Sequence, residues 1–182
     1  MASYAAFLRG IAPMNPNMRN EKLRGVFERL GFDDVGSVIS SGNLVFRSEH
    51  ADVPALEALI EEALTADLGI TSATLLRDAA ELNAMIAANP FGDLEHGPAA
   101  YLTATLLKDR GPIPELPGLS NQGASQVVGT DAERSAIYIV TDTTAGSTPD
   151  VMVLLERALG KGITTRTWKT IQRITSKLPT TS

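Results

Sequence analysis

The chain has no cysteine among its 182 residues. That excludes disulfides, thiol nucleophiles and thiolate-bound metals together. Histidine is nearly absent: His50 and His96 are the only two, each in a loop-like setting (SEHAD and LEHGP). Neither has carboxylates at ligand spacing, so no metal site is expected, and both read as solvated loop residues. A Ser-His-Asp triad finds no GxSxG elbow to support it. Aromatic residues make up only 5%. No apolar run is long enough to span a bilayer. Met1-Ala2-Ser3-Tyr4 places no basic residue ahead of its short apolar run, unlike a signal peptide. The expectation is a cytoplasmic protein with no membrane segment and no cofactor.

What is present is ordinary globular material, 43% hydrophobic and 20% charged, enough for one large domain or two small ones. The net charge of −5 is unevenly spread. Glu156 is the last acidic residue; beyond it come Arg157, Lys161, Arg166, Lys169, Arg173 and Lys177. This end carries +6 in side-chain charge and the remainder −11. It can dock on its own acidic body or meet an anionic partner, and the first is the simpler reading. Nucleic acid is disfavoured, because phosphate affinity rests on positive charge. The segment Asn43-Leu44-Val45-Phe46 also lacks the pattern of an RNA-binding sheet.

Hydrophobic spacing sets out the elements. Tyr4–Leu8 reads as a strand. Leu23, Val26, Phe27 and Leu30 mark one face of a helix that ends at Gly31. A hairpin follows, Val35–Ser40 and Asn43–Ser48. Asp52 caps a second helix with the stripe Leu56, Leu59, Ile60, Ala63 and Leu64, ending at Gly69. Ile70–Leu76 reads as a strand. The order β-α-β-β-α-β predicts an α+β fold with a ferredoxin-like subdomain over residues 1–78. A second α+β subdomain spans 79–182. It opens with the capping box Asp78-Ala79-Ala80-Glu81, and Asn89-Pro90 stops its first helix. A strand follows at Ala100–Leu107, then a Pro- and Gly-rich loop over Gly111–Gly123. A second hairpin comes next, Gln126–Gly129 with Ala136–Thr141. Thr148-Pro149 starts a helix. Thr164 or Thr165 caps a last amphipathic helix, about Arg166 to Lys177, with a basic ridge of Arg166, Lys169, Arg173 and Lys177. No sequence repeat is visible.

This topology gathers polar groups at one end of the first sheet: Arg9-Gly10 at the exit of the first strand, the helix start near Asn17–Asn20, and the turn Ser40-Ser41-Gly42-Asn43. A helix start offers unpaired N–H groups and partial positive charge. Gly10 and Gly42 permit close backbone approach. Arg9 brings a fork of donors suited to carboxylate or phosphate. Ser40, Ser41, Asn43, Asn15 and Asn17 add neutral partners. Each residue also has a local explanation in turn and cap chemistry.

The segments FLRGIAPMN, VISSGNLVF, ANPF (Ala88–Phe91) and TTRTWKTI (Thr164–Ile171) resemble, in order, the signatures of a bacterial family of unknown function, domain-of-unknown-function family 1697. That family shows Leu-Arg-Gly-Ile/Val-Asn after its first strand, Ser-Gly-Asn in its first hairpin and a Thr-Arg-Asn-Trp-like motif before its last helix. Here Ala12 and Thr167 replace the usual Asn residues, and the Ser-Lys-Leu often found before the penultimate helix is absent. The resemblance implies an α+β protein of two subdomains and no established activity. The expected function is a small binding or regulatory module. It would hold an anionic small molecule, a nucleotide or phosphate ester, at Arg9, Gly10, Asn15, Ser41, Gly42 and Asn43, completed by Arg166. Two alternatives stay open: a structural α+β protein whose sheet edges pair into a homo-oligomer, and an enzyme using the same cleft with catalytic residues unknown.

Overall fold

The computed structural model describes residues 1–40, 42–116, 124–144 and 151–180. Ser41, the Thr148-Pro149 helix start and part of the Gly111–Gly123 loop lie outside them. The described residues form an α+β protein with two four-stranded antiparallel sheets. By contacts the chain divides into two compact units, Met1–Asn83 with Arg173–Ser182, and Ala84–Gln172.

In the first unit, β1 (Ala2–Leu8), α1 (Asn20–Arg29), β2 (Asp33–Ser37), β3 (Asn43–Ser48), α2 (Val53–Leu68) and β4 (Thr74–Asp78) follow one another, with a single 3₁₀ turn at Pro16–Met18. The sheet order is β2-β3-β1-β4. The caps act where local chemistry places them. Asp52 Oδ1 accepts from Ala55 N at 3.1 Å, and Gly31 and Gly69 end α1 and α2 in the left-handed region. One sheet face, with Tyr4, Ala6, Leu8, Leu44 and Phe46, packs on Leu23, Val26 and Phe27 of α1 and Leu56, Ile60 and Leu64 of α2. Each of the Leu, Ile, Val and Phe side chains among them contributes about 1.5–3 kcal/mol by burial.

Two expected details differ. The strand expected at Ile70–Leu76 starts at Thr74, because Ile70 closes the end of α2 instead: its N–H donates to Leu64 O while Gly69 N donates to Thr65 O. Leu59, expected inside, is 40% exposed, whereas Glu57 is 4% exposed. Glu57 Oε1 accepts from Leu76 N at 2.8 Å and Glu61 Oε1 from Thr74 N at 2.7 Å. β4 is an edge strand, and two carboxylates one helical turn apart cap its outward N–H groups. Glu57→Ala strands the Leu76 N–H in the interior. The expected loss is about 2 kcal/mol, read from the urea midpoint; an unchanged midpoint contradicts the capping role.

The second unit repeats this strand order with unrelated residues. Its strands are β5 (Tyr101–Leu107), β6 (Ser125–Asp131), β7 (Ala136–Thr141) and β8 (Ile163–Thr167), in the order β6-β7-β5-β8, with α4 (Val151–Leu159) between β7 and β8. Both hairpins carry a register shift beside a glycine, Gly36 in one and Gly129 in the other. In both sheets the fourth strand runs directly into a helix, α3 (Ala79–Ala87) after Asp78 and α5 (Trp168–Thr175) after Thr167. The Asp78–Glu81 capping box forms in full: Glu81 N donates to Asp78 Oδ1 at 2.8 Å and Asp78 N to Glu81 Oε2 at 3.0 Å.

β8 corrects the sequence reading. Arg166 is on a strand, not on the last helix, which starts two residues later and is capped by Thr167 Oγ1 accepting from Thr170 N. Ile163-Thr164-Thr165-Arg166-Thr167 is mostly β-branched and pairs with β5 from Thr103 to Leu107. Among the described residues no helix is long and apolar enough to cross a membrane.

Candidate functional site

Register brings the polar end of the first sheet together. Phe7 on β1 pairs with Asn43 on β3, so the exit of β1 lies beside the β2–β3 turn. Leu8 N donates to Gly42 O at 2.8 Å. Ile11, just past Arg9-Gly10, packs on the Gly42 backbone. Further along the loop, Ala12 N donates to Met18 Sδ at 3.2 Å. Asn20, first residue of α1, donates from Nδ2 to Ile39 O at 3.0 Å. Loop, helix start and turn therefore form one connected rim.

The rim residues divide into two sorts. Gly42 and Asn43 are buried and build the turn. Gly42 has φ +71°, and a Cβ there would stand 2.5 Å from Ile11 Cγ1. Asn43 donates from Nδ2 to Val38 O at 3.2 Å, and Val38 N donates to Asn43 O at 2.9 Å. Asn15 is exposed and caps the 3₁₀ turn, accepting from Asn17 N at 3.0 Å. Gly10 is exposed at φ +69°. Arg9 is half-buried, its backbone held by Arg9 N to Ala73 O and by Ser72 Oγ to Arg9 O.

Two features were not legible in the sequence. Ile39 has φ +63°, a region β-branched residues avoid, and is 41% exposed. Such strain costs about 1–3 kcal/mol and persists only where surrounding contacts hold it. The N-cap of α1 is Arg19, and it makes no side-chain cap bond. Glu21 is the acidic residue of the first turn.

Arg166 belongs to the second unit. Its Nη1 donates to Thr164 Oγ1 at 2.7 Å and Thr165 O at 3.0 Å. Burial pushes its guanidinium down to about 10. His50 is exposed, as expected. His96 is not a solvated loop residue: Nδ1 accepts from Leu102 N at 3.2 Å, and the ring lies 4.7 Å from that of Tyr101. Among the described residues no cluster of three or more His, Asp or Glu side chains is placed to hold a metal ion.

A solved structure of the conserved bacterial protein SP0830 from Streptococcus pneumoniae is similar to this chain throughout. The TM-score is 0.65 at 17% identity, covering 97% of this chain and 98% of that one. This likeness establishes a shared fold. No curated protein matches. A family model described as a protein of unknown function (DUF1697) matches residues 1–133, well over half of the length, and the chain belongs to that family.

Proposed function

We propose that the protein is a small binding module whose first unit holds a phosphate ester or nucleotide at the rim of Arg9, Gly10, the start of α1 and the β2–β3 turn. The observation that carries this reading is the open start of α1, whose N-cap is a basic residue with no side-chain cap bond. First-turn N–H groups left without an internal acceptor attract anions. Arg9 and Arg19 add positive charge on either side of the loop. Gly42 and Asn43 shape the turn from beneath, while Gly10 and Ser40 offer it an exposed backbone. Ser41 belongs to the same turn by sequence. We read the β1-α1-β2-β3-α2-β4 unit as ferredoxin-like, a frame that brings these three segments to one end of the sheet.

The test is thermal unfolding with inorganic phosphate, pyrophosphate and ATP. One of these should stabilise the protein by about 2.7 kcal/mol at a hundredfold excess over its dissociation constant. Arg9→Ala and Arg19→Ala should each reduce that shift. Absence of stabilisation by all three, or equal stabilisation of Arg9→Ala, overturns the reading. Edge pairing between chains through β4 is less well supported, because Glu57 and Glu61 already occupy its outward amides.

A further inference from the structure

Two motifs singled out in the sequence, Ala88–Phe91 and Thr164–Ile171, lie outside the first unit. Both belong to the second unit, and they meet there. α3 ends at Ala87, Asn89 turns the chain at φ +43°, and Phe91 comes down on Trp168 with ring centroids 5.3 Å apart. Tyr138 completes an aromatic cluster, 5.7 Å from Phe91 and 5.9 Å from Trp168. Beside this cluster lies a cleft of about 350 Å³, bordered by Phe91, Leu94, Glu95, His96, Trp168 and Lys169. That volume falls in the range of small-molecule sites.

The polar groups at its border define a chemistry. His96 Nδ1 accepts the Leu102 amide, which leaves Nε2 as the ring's donor. Lys169 is exposed, and among the described residues it has no ion-pair partner. Two donors, one of them charged, call for an anionic acceptor. Leu94, 49% exposed, suits an apolar body, with the edges of the nearly buried Phe91 and Trp168 beside it. Glu95 adds one negative charge to the border, which favours a single charge on the ligand over two.

We propose that this cleft is a second binding site, for a small monocarboxylate with an apolar body. The body rests on Phe91, Leu94 and Trp168, and the carboxylate meets Lys169 and His96 Nε2. The site is separate from the phosphate reading of the first unit and stands without it.

Trp168 is the protein's single tryptophan, so the site carries its own reporter. Phenylacetate is titrated against the full chain, followed by Trp168 fluorescence and by calorimetry, with acetate, 2-phenylethanol and inorganic phosphate as comparisons. The expected result is saturable binding of phenylacetate, about tenfold tighter than either acetate or 2-phenylethanol, since each lacks one half of the recognition. Inorganic phosphate should not compete. Lys169→Ala should weaken phenylacetate about tenfold, and Lys169→Arg should retain most of the affinity; His96→Phe, which also takes the acceptor from Leu102 N and lowers the thermal midpoint, should weaken binding when measured well below that midpoint. No saturable binding by either method overturns the proposal. So does equal affinity for 2-phenylethanol, or wild-type affinity in Lys169→Ala.

Discussion

Gly42→Ala is expected to destabilise the protein by about 3 kcal/mol, far beyond an ordinary glycine substitution. Two costs add. At φ +71° a residue with a Cβ meets its own carbonyl, at about 1–2 kcal/mol. The new methyl would also stand 2.5 Å from Ile11 Cγ1, 3.0 Å from Leu8 Cβ and 3.1 Å from Ile11 Cβ. Leu8 is locked in β1 and fully buried, so relief comes from pushing the Ile11 loop outward. Overpacking of this kind costs about 1–3 kcal/mol. Urea unfolding reads the sum. A loss below about 1 kcal/mol would show that the loop over Gly42 gives way freely, and the rim would then lack the rigidity assigned to it. Gly10→Ala is the natural comparison. Its φ of +69° is nearly the same, yet a Cβ there would meet no neighbour within 4 Å. Only the backbone term should remain.

Trp168→Ala should cost about 4 kcal/mol, in the range for removing a large buried aromatic. Trp168 is 6% exposed and touches both Phe91 and Tyr138 edge-on. Its removal takes one of two edge-on partners from each of Phe91 and Tyr138 and opens the wall of the cleft. Circular dichroism during urea unfolding checks this, since the variant has no tryptophan signal. A loss under about 2 kcal/mol would mean that Phe91 and Tyr138 close the gap. Trp168→Phe should recover most of the stability, because the edge-to-face contacts survive in smaller form.

Sequence reasoning succeeded where the controlling interaction is local. The Asp78–Glu81 box, the Asp52 cap and the glycines ending α1 and α2 are all settled within one helical turn, and each forms as expected. It failed where a distant partner decides. Thr164–Thr167 fits a helix cap as well as a strand until β5 supplies its hydrogen bonds. Glu57 reads as a surface residue until the edge of β4 claims its carboxylate. Leu59 is displaced from the interior for the same reason. The convergence of β1 exit, α1 start and β2–β3 turn was legible, because it follows from the order of elements alone. The interior roles of Gly42 and Asn43 were not. Nor was the left-handed backbone of Ile39, whose carbonyl accepts from Asn20 Nδ2 far away in the chain. The second unit hides its likeness to the first for a related reason: strand order and the bulge positions repeat, while the side chains filling the two interiors do not.

The most direct test of the anion-binding rim is a ¹H–¹⁵N titration of the protein with pyrophosphate and ATP. Binding at the rim gives saturable shifts concentrated at the amides of Gly10, Arg19, Asn20, Glu21 and Ser40, and their loss in Arg9→Ala. Shifts confined to the basic residues of α5 and the segment after it, or no saturable shift at those five amides, would contradict it.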